Sequence, residues 1–485
     1  MKIRYTLLFL SFLFYITTAQ SQDTPPPALS AIQEADLKRD LYTLASDDMR
    51  GKRAGTIDEL RAAAWVAEQA AKAGLEPAGE DGTFFQFFPL HRASISETSE
   101  ISINNKALKL WSEAWVRRPQ EAQVKGEVVW LNSLADTTAN LNGKVVAMNL
   151  LPPDRLPEDW ISLYVYRYAH SAMRQQTQRL AGTGAAAIVL VADSVAESEI
   201  GFFGHGLEEG TYSIEKPQNR TANEAPVILV SSSQRAALQQ AKAQFTANLS
   251  VDRYVHPSVN VVAKAPGQDP ELRKEFVLFS GHHDHDGIGV AVAGDSIWNG
   301  ADDNATVSVA MLAIGRAFVK NPGKRSALFV WHGAEERGLF GSRYYIQNPT
   351  VEKEFIVAVL NGDMIGRNEP GTAALLGSIP PNRNSEALVK AAMDANEMVT
   401  KFNIDTSWDE ASHPENWYFR SDHLPYAQAN IPAIFFTTLL HPDYHTPEDE
   451  AEKIDMEKFT KMTKWMYATG WMIANDATPP ALDKK

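Results

Sequence analysis

The run Phe276-Val277-Leu278-Phe279-Ser280-Gly281 is short, apolar and β-prone, and it empties into His282-His283-Asp284-His285-Asp286 before any helix can start. The pattern recurs. Ala327-Leu328-Phe329-Val330-Trp331 ends in Gly333-Ala334-Glu335-Glu336, Phe355 to Leu360 ends in Asn361-Gly362-Asp363, and Ala433-Ile434-Phe435-Phe436 is followed shortly by Asp443-Tyr444-His445-Thr446. A further cluster, Asn299-Gly300-Ala301-Asp302-Asp303-Asn304, has a glycine to tighten its turn and precedes a helix predicted over about 305–320. Runs of this kind read as strands of a buried sheet in an α/β domain, so five elements deliver His, Asp, Glu, Asp and His to one sheet edge.

Imidazole and carboxylate ligands without a thiolate suit zinc, manganese or cobalt in an open, hydrolytic site, and the chain has no cysteine at all. The adjacent glutamates Glu335 and Glu336 can diverge at a strand end, one binding metal while the other takes a proton from a bound water. Two metals about 3.5–4 Å apart need a bridging carboxylate, which an aspartate on a tight turn can supply. Each piece has an ordinary alternative. Glutamates that open a helix favour its dipole, Asp302-Asp303-Asn304 can cap one, and a histidine at a strand end is commonly a hydrogen-bonded structural group. Their co-occurrence at one sheet edge favours the metal site.

In chain order, His282-His283-Asp284, Gly300-Ala301-Asp302-Asp303, Glu335-Glu336, Asn361-Gly362-Asp363 and Tyr444-His445-Thr446 resemble five motifs of the co-catalytic di-zinc aminopeptidases, of the aminopeptidase Y and bacterial leucyl aminopeptidase type: H-x-D, G-x-x-D, E-E, N-x-D and Y-H-T. The resemblance implies a mixed sheet sandwiched by helices, the zinc-exopeptidase, phosphorylase/hydrolase-like fold. It implies His282 and Asp363 on one zinc and Glu336 and His445 on the other. Asp303 rather than Asp302 would bridge them, because the family's ligand falls three residues after the glycine. Glu335 would be the general base, Asp284 would orient His282, and Tyr444 would donate to the oxyanion. Asp422, in Phe419-Arg420-Ser421-Asp422-His423, would lie on the substrate side, although Ser421 and Asp422 could equally cap the following turn.

The same resemblance implies an exported metallo-aminopeptidase that hydrolyses N-terminal peptide bonds of peptides or proteins with a water bridging two Zn2+, for which Mn2+ or Co2+ could substitute. Two alternatives share the fold: a glutaminyl-peptide cyclotransferase-like enzyme using one zinc, and a catalytically silent binding ectodomain. Five intact ligands and a free Glu335 weigh against the second. His283, His285 and Asp286 make the first loop richer in potential ligands than the family needs, and Val307 stands where a glycine is common.

Residues 1–21 combine a basic start, Lys2 and Arg4, with a short apolar run and a small-residue exit, the pattern of a secretory signal. The run is too short and too soon followed by Pro25-Pro26-Pro27 for a stable membrane span, so a secreted or periplasmic protein is expected. The net charge of −14, more negative still without Lys2 and Arg4, disfavours nucleic acid and anionic membranes as partners. Length argues for more than one domain. Residues 22–112 read as the first part of a peptidase domain, with two helices between Ile32 and Gly74. Residues 113–254 read as an inserted α/β domain that carries no metal motif; its order of elements and Gly182-Thr183-Gly184-Ala185-Ala186-Ala187 resemble a protease-associated domain. The metal-binding part follows at 255–478, and 479–485 reads as a C-terminal tail.

Overall fold

The computed structural model describes residues 25–136, 140–154, 164–198, 200–216 and 224–484, so the signal-like segment lies outside the described residues. The larger sheet is built on β1 (Phe85–Ile95), β2 (Thr211–Ser213), β3 (Val251–Ala265), β4 (Phe276–His282), β5 (Ser326–His332), β6 (Ile356–Gly362), β7 (Thr372–Leu376) and β8 (Ala433–Thr437). Their spatial order is β7-β8-β6-β4-β5-β3-β1-β2, with the short pair Asn403–Ile404 beyond β7. The central four, β8, β6, β4 and β5, are parallel. Antiparallel β7 flanks them on one side and antiparallel β3 and β1 on the other, which makes the sheet mixed, as expected.

The helices that matter for the site are α1 (Glu34–Leu44), α2 (Ile57–Lys72), α3 (Ile200–Glu209), α4 (Thr306–Lys320), α5 (Phe340–Gln347) and α6 (Met456–Asn475). Side chains alternate across a strand, so β4 sends Val277 and Phe279 into the core under α1, α2, α4 and α6 and Leu278 into the opposite core with Tyr345 of α5 and Tyr426. Both faces are covered, which is why the strand runs are unbroken in apolar residues rather than alternating. From β4 the chain steps to β5 on one side and then crosses to β6 on the other. The carboxyl end of β4 is therefore the point where strand order reverses, and a crevice opens there in sheets of this kind.

Val307, the departure noted above, is matched by its surroundings. A Cβ on Gly281 would lie 2.5 Å from Val307 Cγ1, and one on Gly362 2.9 Å from it. Glycines on β4 and β6 thus make the room that the larger side chain on α4 occupies.

A second, eight-stranded sheet has the order Lys106–Leu108, Glu100–Ile103, Gln244–Leu249, Ala122–Trp130, Val145–Asn149, Ala187–Val191, Val227–Val230, Ala114–Val116. Its strands at 100–108 differ from the sequence reading, which left them with the peptidase part: they are too short to stand out, but Glu100–Ile103 pairs with Gln244–Leu249. The chain leaves the larger sheet along β1 and returns along β3, paired from Val251↔Ile95 to Val261↔Phe85. Among the described residues, no helix is long and apolar enough to cross a membrane.

Candidate metal centre

Each chemical residue arrives at the reversal point from a different element. His282 is the last residue of β4, Glu335 and Glu336 follow β5, Asp363 follows β6, and His445 comes from the loop after β8. The backbone reaches these positions through residues with positive φ: Ala334 at 51°, Met364 at 54° and His445 itself at 51°. Left-handed conformations at non-glycine residues are costly and cluster where a surrounding structure fixes side chains for function. Gly300, at φ 57°, precedes the Asp302-Asp303 turn, and a Cβ there would lie 2.2 Å from Asp303 O and 2.4 Å from His285 Cγ. Only glycine fits.

Asp303 stands at the centre. Its Oδ1 is 3.1 Å from His282 Nε2 and its Oδ2 is 3.2 Å from His445 Nε2, so one carboxylate faces two imidazoles with two different oxygens. Around His282 Nε2 lie Asp363 Oδ2 at 3.8 Å and Glu335 Oε2 at 3.9 Å. Beside His445 Nε2 lies Glu336 Oε2 at 3.2 Å. Asp302 turns away: its Oδ1 accepts from Gly366 N at 2.7 Å and from Thr306 Oγ1, and its Oδ2 faces His441 at 3.6 Å. The turn is held from below by Asp449, whose carboxylate accepts from the amides of Asp302 and Asp303.

The sequence-derived role of Asp284 takes a different form. His282 Nδ1–H donates to the backbone carbonyl of Asp284 at 3.2 Å, while the Asp284 carboxylate is 3.8 Å from that nitrogen and accepts from the amides of Glu335 at 3.0 Å and Glu336 at 3.4 Å. The strand ends at His282, so the side chain of Asp284 no longer follows the alternation that would have put it beside the ring. It secures the glutamate pair instead. The extra loop residues are also engaged: His285 Nδ1–H donates to Glu336 Oε1 at 2.9 Å, and Asp286 Oδ2 lies 3.0 Å from His445 Nδ1.

The cluster fits divalent cations. The Nε2 atoms of His282 and His445 are buried without a hydrogen-bond partner. Three sets of ligand atoms converge within 4.8 Å: His282, Glu335 and Asp363; His282, Asp303 and Glu336; and Asp286, Glu336 and His445. Burial opposes charge on both rings, yet the surrounding carboxylates raise the pKa of His282 and of His445 well above 6.5, which marks a pocket that draws positive charge. Burial, reinforced by Glu336, Asp422 and Asp363 against His282, holds the Glu335 carboxyl well above the ordinary range. Burial likewise pushes Asp422 up to about 7.

Three contributors were not singled out in the sequence. Lys52 is fully buried, donates to the carbonyl of Asn299, and is pushed down to about 8 by burial although Asp449, Asp303, Asp284 and Glu336 pull the other way. Arg420 donates to Tyr444 Oη at 3.1 Å, with its guanidinium 4.6 Å over the Trp417 ring. Glu209, from the second unit, pairs with Arg337, the neighbour of Glu336, at 2.7 Å. Arg420 was legible only as a neighbour of Asp422. Nothing in the sequence joined Glu209 to the site.

A mixed sheet covered on both faces, with an imidazole and carboxylate cluster at its reversal point, defines the class as an α/β protein with a candidate metal centre at the carboxyl ends of its parallel strands. Residues 260–469 match the model of peptidase family M28. The chain is 40% identical over 113 residues to a leupeptin-inactivating enzyme of Streptomyces exfoliatus, covering 23% of this chain and 24% of that protein. It is 29% identical over 232 residues to a probable leucine aminopeptidase of Trichophyton verrucosum, covering 46% and 58%. These matches thus span from about a quarter to just over half the length of the curated relatives. Over 91% of this chain and 95% of the other, the fold resembles that of a zinc aminopeptidase from Bacillus subtilis, with a TM-score of 0.58 and 18% identity.

Proposed function

We propose that the chain is an exported metallo-aminopeptidase that holds two zinc ions and removes residues from the N-termini of peptides, with the second unit in the place of a protease-associated domain. The observation that carries the reading is Asp303, whose two oxygens face His282 and His445 while each histidine has a further carboxylate beside it. His282, Asp303 and Asp363 would hold one ion, and Asp303, Glu336 and His445 the other. Zinc in such a site supplies Lewis acidity to a carbonyl oxygen and lowers the pKa of water.

The protein's own groups then have distinct tasks. Glu335, whose amide donates to Asp284, takes the proton lost by the attacking water and returns it to the leaving amine. Tyr444 accepts a hydrogen bond from Arg420, which leaves its own proton to donate to the developing oxyanion. The substrate's ammonium enters among Glu335, Asp363 and Asp422. A hydrogen bond between charged groups contributes roughly 1.5–3 kcal/mol. Peptides with an acetylated N-terminus should therefore be cut at least ~10-fold more slowly than free ones, while a C-terminal amide should matter little. Mass spectrometry of a matched peptide panel tests this. Interior fragments from blocked peptides at comparable rates would indicate an endopeptidase, and cyclised N-terminal glutamine without chain cleavage would indicate a cyclotransferase.

A further inference from the structure

A line of buried charge runs from the second unit to the metal cluster. Glu209, the last residue of α3, accepts from Arg337 Nη1 at 2.7 Å, and Arg337 Nη2 donates to Asp286 Oδ1 at 2.7 Å. The other oxygen of Asp286, Oδ2, is 3.0 Å from His445 Nδ1. Glu209 is held in place by Arg53 at 2.9 Å, and the Arg337 guanidinium sits 5.7 Å over the ring of Tyr212, also from the second unit. The Arg337 side chain is 11% exposed and that of Glu209 7%, so both charges depend on each other rather than on water. The two ends of a planar fork thus grip one carboxylate from each unit, a geometry that lysine's single ammonium cannot reproduce.

A carboxylate on Nδ1 fixes which nitrogen of an imidazole carries the proton, leaving Nε2 as the lone pair that faces Asp303 and Glu336. We infer that Glu209, Arg337 and Asp286 are positioning residues for His445, so that the docked second unit sets the metal affinity on the Glu336 and His445 side of the site. This rests on the ligand reading proposed above.

The test is zinc retention by the full-length protein against a competing chelator, read ion by ion, with the visible spectrum of the cobalt-loaded protein alongside. His445→Ala should lose one of two tightly held ions; if both stay, the ligand reading itself fails. Asp286→Asn should still take up two ions at saturating zinc, but one should need about 10–100-fold more free zinc. Glu209→Gln should shift that same ion in the same direction by a smaller factor and alter its cobalt band. Arg337→Lys should do likewise, and it serves in place of Glu209→Gln if that variant does not fold. In the Asp286→Asn background, Glu209→Gln should add nothing. A purely structural role would lower the melting temperature without selecting one ion. The inference is overturned if Glu209→Gln leaves the zinc curve superimposed on the wild type, or if the two substitutions are additive. Loss of an ion at saturation in Asp286→Asn also overturns it, because Asp286 would then be a ligand.

Discussion

Glu59, near the start of α2, offers a measurable link between the site's surroundings and pH. It is fully buried, its Oε1 accepts from Ser258 Oγ at 2.6 Å, and its Oε2 accepts from Gly55 N at 2.7 Å. Burial dominates and, with the charge of Asp284, outweighs those hydrogen bonds, raising the carboxyl from 4.5 to about 8. An acid whose pKa is higher folded than unfolded binds more protons in the folded state, so stability falls as pH rises between the two values. The contribution is fully present below about pH 4.5 and lost on passing about pH 8. At 1.36 kcal/mol per pH unit, that interval amounts to a loss on the order of 5 kcal/mol. Glu59→Gln imitates the protonated acid, with its amide able to donate to Ser258, and removes the titration. Urea unfolding of both proteins at fixed free zinc, from pH 5 to pH 8.5, gives the comparison. The wild type should lose stability relative to the variant steadily up to about pH 8 and level off above it, while pH effects on metal binding cancel in the difference. Parallel curves would refute the assignment of a neutral Glu59 in the folded protein.

Three further outcomes are expected. Glu335→Gln should keep both metals while turnover drops at least ~10²-fold; metal loss by elemental analysis would mean that Glu335 and Glu336 have exchanged roles. Asp303→Ala should reduce metal content from two per chain, whereas Asp302→Ala should leave it and lower the melting temperature, since Asp302 faces Gly366 and Thr306 rather than the histidines; equal metal loss in both contradicts the bridging assignment. Gly281→Ala should destabilise by about 1–3 kcal/mol in calorimetry because its Cβ meets Val307.

Much of the site was legible because each strand of the parallel centre is followed within eight residues by its chemical residue or ends in it, and a buried strand is recognisable from its composition alone. His282, Glu335, Glu336, Asp363 and His445 were found that way and do meet. Asp303 was chosen over Asp302 only by the glycine spacing of the resembled motif, because adjacent aspartates look alike until a backbone turn sends them to opposite sides. Residues that approach the cluster from distant segments, such as Lys52 and Glu209, carry no local signal: their partners lie hundreds or scores of residues away in sequence. The pairing of residues 100–108 with the second sheet escaped the sequence reading for a related reason. Glu100–Ile103 and Lys106–Leu108 are strands through pairing with neighbours far along the chain, and their own composition is too brief to declare it.

The three residues of β2 have an effect out of proportion to their length. Without them β1 would be the outer strand of the larger sheet, with its free N–H and C=O groups open to any extended segment that came by. By sending Thr211–Ser213 back to pair with His91–Ala93, the second unit closes part of that edge. A chain trimmed of the unit would therefore open the His91–Ala93 stretch of that edge to pairing with another copy of the chain, as a matter of sheet geometry.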